Sequence, residues 1–309
     1  MSKSLTIALT TYNRPNYLSK AIKSVLNQTF KDFDLIILDN GSSQDTRHVV
    51  DTFKDSRIKY VRNESNDLKF VNKAFDYVQN DFLMIFHDDD TMNPNMLETL
   101  IKIIKSDSAV ISISSSINLI DADSKNLNKL RPRILKDKIW NKNEFIQEYI
   151  YRGDIIPCPS TIFRSSVIKK HKLRYNWDVG PAVDLYLFFQ INLLKGKMIL
   201  LKKPLLNYRI HKDQGSERNR ISLEYQVRPY IIKLLIDNNL LKYIEKYKQA
   251  SLGIILQISL NNFLSGLINL KELNKELNKL INEGLKVNYL SMYWALIGIT
   301  RGIKNSLFR

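Results

Sequence analysis

Cysteine is almost missing from this chain: Cys158 is the only one in 309 residues. An internal disulfide is thereby excluded. No Cys or His stands near Cys158 at metal-ligand spacing, so a reducing compartment, the cytoplasm, is the expectation. Glycine and proline are sparse, at 10 and 8 residues, which argues against extended disorder. A signal-peptide core is also lacking, because the apolar stretch after Ser4 is broken by Thr6, Thr10 and Thr11. Acidic residues are outnumbered, 31 Asp and Glu against 47 Lys and Arg, for a formal net charge of +16. That excess predicts attraction to polyanions, whether nucleic acid, anionic lipid or phosphorylated substrates.

What is present is ordinary globular material, 44% hydrophobic and 25% charged. The length suits one sizeable domain with an appendage. Residues 5–9 (LTIAL) and 33–38 (FDLIIL) read as buried strands of a parallel sheet. Between them Asn13 is placed to cap a helix, Pro15 fits its first turn, and Tyr17, Leu18, Ala21, Ile22, Val25 and Leu26 recur at helical spacing. The alternation continues with a turn at 40–43, a helix near 44–54, a strand at 57–61, a helix near 67–78 and a buried strand at 81–87. Asn93-Pro94 then opens a helix whose core face is Leu97, Leu100, Ile101 and Ile104. This predicts a doubly wound α/β domain with ligands at the carboxyl ends of its strands.

Beyond residue 107 the order is less regular, with strand-like segments at 109–120, 198–201 and 205–210 and helices near 141–151 and 181–195. From about residue 218 only helical patterning remains. We therefore expect an α/β domain over 1–217, in halves of about 1–107 and 108–217, and a helical region over 218–309. The latter holds 14 Lys and Arg against 6 Asp and Glu, a denser positive charge than the 33 against 25 before it.

Asp88-Asp89-Asp90 follows a buried strand. Three adjacent carboxylates repel one another unless a cation binds them, and hard divalent cations favour oxygen ligands. In extended chain Asp88 and Asp90 face one side and Asp89 the other. A solvated turn leading to Asn93 is the alternative.

Three blocks, Thr10-Thr11-Tyr12-Asn13-Arg14-Pro15, Leu38-Asp39-Asn40-Gly41-Ser42-Ser43 and Ile85-Phe86-His87-Asp88-Asp89-Asp90, in this order and spacing, resemble the family 2 glycosyltransferases of the GT-A fold. The resemblance implies transfer of a sugar from a nucleotide-diphosphate donor, with Thr11 and Asn13 against the nucleotide and Asp39 accepting from the base. An ionised Asp is acceptor-only, which suits the N–H of uracil or thymine and favours a UDP- or dTDP-sugar. Asp88 and Asp89 are expected at the nucleotide and ribose, and Asp90 with Asp88 at Mn²⁺ or Mg²⁺, as in the family's DXD motif.

Downstream, Tyr208-Arg209-Ile210-His211, followed by Gln214 and Ser216, resembles the motif whose His returns to the metal or diphosphate, so His211 joins the expected metal ligands. Asp184 matches the position of the general base of an inverting transfer. It can equally complement the positive end of its helix. The chain departs from the family in two places: Leu68 and Val71-Asn72 replace the usual Gly and Arg before Asn, and Val183 replaces a Glu. Arg62 and Lys69 are weaker candidates for phosphate contacts. His87 is read as structural, Pro157-Cys158-Pro159-Ser160 as a loop near the acceptor, and Trp177 with Asp178 as packing or an acceptor platform.

Residues 249–270 carry no charge over 22 positions, but Gln257, Asn261, Asn262, Ser265 and Asn269 argue for an amphipathic helix over a membrane span. Later, Tyr289, Tyr293 and Trp294 lie among apolar residues ahead of Arg301, Lys304 and Arg309, a pattern suited to an anionic membrane surface. The expected role is glycan assembly for surface polysaccharide, on a glycan or lipid-linked acceptor, in the cytoplasm or on the inner face of the cell membrane. The alternatives are an inactive relative serving as a scaffold and a basic nucleic-acid-binding protein. Nucleic acid is not an expected partner, because basic and aromatic residues form no shared stripe.

Overall fold

Leu5, Ile7 and Leu9 alternate along the first strand and pair in register with Phe33, Leu35 and Ile37 on one side and Phe82, Met84 and Phe86 on the other. Side chains two apart share a sheet face, so these nine apolar groups form one continuous surface. It packs against Leu18, Ala21, Ile22 and Val25 of the first helix and Leu97, Leu100, Ile101 and Ile104 of the fourth. Each fully buried side chain of this size contributes roughly 1.5–3 kcal/mol. The intervening residues Ala8, Ile36 and Ile85 are buried too, which is why these strands read as unbroken apolar runs.

The computed structural model describes residues 3–153, 156–211, 220–287 and 289–307. In chain order the elements are β1 (Leu5–Thr11), α1 (Pro15–Leu26), β2 (Phe33–Asp39), α2 (Gln44–Thr52), β3 (Ile58–Arg62), α3 (Lys73–Asp76), β4 (Phe82–His87), β5 (Thr91–Met92), α4 (Met96–Ser106), β6 (Val110–Ile120) and β7 (Asn126–Arg131). They continue with β8 (Lys138–Trp140), α5 (Glu144–Arg152), β9 (Ile162–Arg164), α6 (Ser165–Lys170), α7 (Val183–Asn192), β10 (Lys197–Arg209), α8 (Arg220–Asp237), α9 (Ile244–Leu264), α10 (Leu270–Asn282) and α11 (Tyr289–Leu307).

The chain divides into two compact units. The first comprises Met1–Phe145, Ile155–Trp177 and Gln190–Asp213, and the second Ile146–Asp154, Asp178–Phe189 and Gln214–Arg309. The sheet lies in the first, in the order β3-β2-β1-β4-β9-β6-β10-β5, with β7 beside β6 and β8 beside β10. Strands β3, β2, β1 and β4 are parallel, as are β6 and β10, while β9, β7, β8 and β5 join antiparallel. The expected α/β architecture is present, with a mixed sheet.

Local departures from the expected elements have visible causes. Asn13 does not cap α1; it sits at φ 52° and its side chain accepts from Ser43 N–H, joining two loops instead. The expected helix near 67–78 is a 3₁₀ turn over Leu68–Asn72 followed by the single turn of α3. Asp67 accepts the Lys69 N–H, and Asn72 is tied to the Tyr175 backbone at 3.0 Å. The segments expected as strands at 198–201 and 205–210 form one strand, β10, whose register with β6 shifts around Pro204, a residue with no N–H to give the ladder.

In the second unit α9 is the central helix, touching α8, α10 and α11. Tyr149, Phe189 and Tyr247 form an aromatic cluster with centroids 5.3–6.4 Å apart. Leu252, Ile255 and Leu280 make a smaller apolar cluster. No described helix is long and apolar enough to cross a membrane. The expected domain boundary at 217, together with Gln214, Ser216 and Arg309, lies outside the described residues.

Candidate active site

The parallel register places Thr11 beside Asp39, and Thr10 beside His87. The three sequence blocks therefore end at one edge of the sheet, on adjacent strands. Gly41 makes the turn after β2, at φ +83° and so close to the Ser65 backbone that a Cβ would meet it at 2.8 Å. Only glycine fits there.

After β4 the chain turns, and the extended-chain expectation for the three carboxylates fails. Asp88 and Asp89 both reach Nη1 of Arg14, at 3.2 and 3.1 Å. Asp88 also accepts from Thr11 Oγ1 at 2.7 Å and from the Tyr12 N–H at 3.3 Å. Asp89 Oδ2 lies 3.1 Å from His211 Nε2. Asp90 turns toward β10, where its Oδ1 accepts the Arg209 N–H at 3.0 Å.

All three carboxylates are buried, and Asp90 completely. Burial, followed by the charge of Asp89, lifts Asp88 to about 7, with Arg14 and Thr11 opposing the rise. Burial likewise raises Asp90 well above the usual carboxylate range, with Asp89 adding to it and the Arg209 N–H opposing. One oxygen, Oδ2 of Asp90, is buried with no hydrogen-bond partner among the described residues. His87, Asp89 and Asp90 each offer a donor atom, all within 4.8 Å of one another. Two carboxylates, one of them with an orphaned buried oxygen, and an imidazole fit a divalent cation such as Mn²⁺.

Arg209 underpins this corner. It is fully buried, its Nε donates to the Asp89 carbonyl at 2.8 Å, and Nη1 donates to Asp121 O, Ala122 O and Ser124 Oγ at 2.9–3.1 Å. Its guanidinium lies 4.7 Å from the centre of the Tyr17 ring, which also neighbours His211. One side chain thus joins β10, the carboxylate turn, α1 and the β6–β7 turn.

Asp39 is fully buried at the end of β2. Its Oδ1 accepts the Ser42 N–H at 2.9 Å and its Oδ2 accepts the Tyr60 hydroxyl. Burial, followed by the bond to Asp39, drives the Tyr60 phenol upward, so it stays a donor. Arg62 Nη2 donates to Ser42 O at 2.7 Å, and its Nε lies 4.0 Å from Asp39. Asn13 N–H donates to Ser42 Oγ at 2.8 Å. Thr11, Asn13, Asp39 and Asp88 thus belong to one hydrogen-bonded rim.

The pattern of the family described as Glycosyl transferase family 2 matches residues 6–170, more than half of the chain. A GalNAc(5)-diNAcBac-PP-undecaprenol beta-1,3-glucosyltransferase of Campylobacter jejuni is 30% identical over 237 residues, spanning 72% of this chain and 71% of that protein. The chain belongs to the family 2 glycosyltransferases. An uncharacterized glycosyltransferase of Methanocaldococcus jannaschii is 28% identical over 212 residues, 67% of this chain and 70% of the other. Among solved structures, S. aureus TarS 1-349 in complex with UDP aligns at a TM-score of 0.66 and 16% identity, covering 98% of this chain and 90% of that one. Mannosyltransferase PcManGT from Pyrobaculum calidifontis, in complex with GDP-Man and Mn²⁺, aligns at 0.55 and 11%, covering 100% and 88%. These likenesses establish the GT-A fold.

In this glycosyltransferase the structure brings together Thr11, Asn13, Asp39, Asp88, Asp89, Asp90 and His211. His87, read from sequence as structural, is a member of the candidate metal group, and His211 approaches that group through Asp89. Arg14, Tyr60 and Arg209 were missed as site residues. For Arg209 the one signal was its place in the Tyr208-Arg209-Ile210-His211 block, at the end of β10. Asp184 lies in the second unit, in the first turn of α7, where its Oδ1 accepts the Leu185 N–H at 2.7 Å. Cys158, Pro159 and Ser160 are buried, with Ser160 Oγ donating to Ser115 O at 2.8 Å and Cys158 Sγ 3.0 Å from the Tyr175 hydroxyl. That loop packs. Lys69 is exposed, and Trp177 neighbours Tyr175 at 6.5 Å between ring centres.

Proposed function

We propose that this glycosyltransferase moves a sugar from a UDP- or dTDP-sugar to a hydroxyl of a glycan or lipid-linked acceptor, with inversion, in surface polysaccharide synthesis. The observation that carries the donor half is the convergence of Thr11, Asp39 and the three carboxylates at the ends of adjacent parallel strands. Asp39 would supply acceptor oxygens to a base with a ring N–H, and its bonds to Ser42 and Tyr60 hold it oriented. The TarS structures in complex with UDP and UDP-GlcNAc support a uridine donor. The C. jejuni relative, whose name specifies an undecaprenol-linked substrate, supports a lipid-linked acceptor.

Asp89, Asp90 and His87 would hold Mn²⁺ or Mg²⁺, with Asp88 and His211 beside them. Bound there, the cation offsets the negative charge of the departing nucleoside diphosphate. Arg14 balances Asp88 and Asp89, and Arg209 fixes the direction of Asp90. Asp184 is proposed, from its position in the sequence, to take the proton from the acceptor hydroxyl.

A panel of nucleotide sugars, assayed for hydrolysis and transfer with Mn²⁺ and with EDTA, tests the reading. UDP- or dTDP-sugars should turn over only with metal, Asp90→Ala should lose that turnover, and Asp184→Asn should lose about 10²–10⁴-fold in transfer while retaining nucleotide binding. Turnover that is equal in EDTA, or restricted to GDP-sugars, would sink the metal or the donor assignment. An active Asp184→Asn enzyme would remove Asp184 as the base.

A further inference from the structure

Helix α11 is held on one side and bare on the other. Its packed side carries Ser291, Trp294 and Gly298, all buried. Trp294 lies so close to Gly253 of α9 that a Cβ there would meet its ring at 2.4 Å, and a Cβ on Gly298 would meet the Gln257 backbone at 2.6 Å. The two helices therefore touch through glycines, backbone against ring and backbone against backbone. That contact fixes which side of α11 faces outward.

The outward side is apolar. Met292 is 57% exposed, Tyr293 37%, Leu296 60%, Ile299 37% and Ile303 48%. At about 100° of rotation per residue, these five gather within an arc of about 120°, opposite Trp294 and Gly298. A soluble helix ordinarily turns such a stripe to the core and its polar residues to water. Here the core side holds the glycines, and the water side holds four large aliphatic groups and a tyrosine. The stripe follows from the packing.

Charge decides between possible occupants. The sequence of α11 contains Arg301 and Lys304 and no acidic residue, and residues 218–309 together carry 14 Lys and Arg against 6 Asp and Glu. A second copy of this chain would bring the same positive charge against it. An anionic lipid surface brings the complementary sign, accepts apolar side chains at its acyl boundary, and takes tyrosine at the headgroup level.

We propose that α11 lies in the plane of an anionic membrane surface, with Met292, Leu296, Ile299 and Ile303 entering the headgroup–acyl boundary and Tyr293 at its polar edge. This goes beyond the catalytic reading and does not rest on it, since lipid binding needs neither donor nor metal. No described helix is long and apolar enough to cross a membrane.

The test is flotation of the full chain with phosphatidylcholine vesicles that contain or lack phosphatidylglycerol. Leu296→Gln with Ile299→Gln, and separately Met292→Gln with Ile303→Gln, change exposed positions at constant charge, and each pair is checked by thermal unfolding. The wild type should float with the anionic vesicles only, and each pair should weaken binding by about tenfold or more. UDP binding in the presence of Mn²⁺, measured on the same variants, should be unchanged, which separates the membrane face from the donor site. Equal flotation of wild type and both pairs would overturn the proposal, as would no flotation of the wild type. So would a wild-type dimer in solution that the same substitutions dissociate.

Discussion

The Arg209 N–H donates to Oδ1 of Asp90 at 3.0 Å, leaving Oδ2 of that fully buried carboxylate without a hydrogen-bond partner among the described residues. One oxygen is fixed by the neighbouring strand and the other is held ready. A candidate cation site built this way would be assembled before a cation arrives, at the cost of a buried, unsatisfied acceptor.

Asp90→Asn should therefore raise the stability of the metal-free protein, by about 1 kcal/mol, because it removes a carboxyl whose ionised form is opposed by burial and by Asp89 and Asp88. The same change should abolish stabilisation by Mn²⁺. Thermal unfolding of both proteins with and without Mn²⁺ reads both effects, and a variant that melts lower without metal contradicts the argument.

Arg209→Met keeps the main-chain bond to Asp90 but strips the Asp89, Asp121 and Ala122 carbonyls of their donor. The expected loss is about 3 kcal/mol in urea unfolding. Arg209→Lys should recover only part of it, since an ammonium cannot reproduce a planar fork aimed at several carbonyls.

Asp39→Asn offers an amide where an acceptor-only carboxylate stood, and Tyr60 loses its charged partner. Calorimetry should show UDP binding weakened by about tenfold to a hundredfold, with GDP little affected. A parallel loss for both nucleotides would place Asp39 outside base recognition.

Gly298→Ala sets a methyl against the Gln257 backbone, which cannot move aside as a side chain could. Overpacking should cost about 1–3 kcal/mol. Fluorescence of Trp294, which packs beside Gly253 in the same contact, should report the transition at a lower temperature.

Asp55, held by Arg57 Nε and Nη2 at 2.9 and 2.7 Å, is lowered from 3.8 to about 2, chiefly by that side-chain bond and despite its partial burial. A carboxyl depressed in the folded state stabilises above its unfolded value and loses that contribution as pH falls through the folded one. The free energy of unfolding should thus drop between about pH 4 and pH 2. Asp55→Asn should flatten that part of the profile in a pH series of urea titrations.

Much of the donor half was legible because its residues sit in contiguous blocks at strand ends. LTIAL and FDLIIL announce buried parallel strands, and the parallel register then carries Thr11, Asp39 and Asp88 to one edge. His87 and Arg209 were harder. Imidazole at a strand end has no distinctive spacing, and Arg209 joins Asp89 across 120 residues of sequence. Asn13 misled for a related reason: an Asn before Pro15 is a helix cap by type, yet its neighbours in space, Ser42 and Ser43, recruited it to a loop junction.

The amino-acid sequence by itself determined the alternating strands and helices, the apolar faces that bury them, the family, and the acidic turn after β4, because all of these rest on periodicity and on residues close together in the chain. Only the tertiary structure decided which way each carboxylate points, that His87 joins Asp89 and Asp90, and that α11 turns its apolar stripe outward. Those outcomes depend on contacts between distant segments: Arg14 holds Asp88 and Asp89, the Arg209 N–H holds Asp90, and the glycines of α9 and α11 choose the packed side. Local sequence sets the elements; the directions of buried charges and helix faces are set by what packs against them.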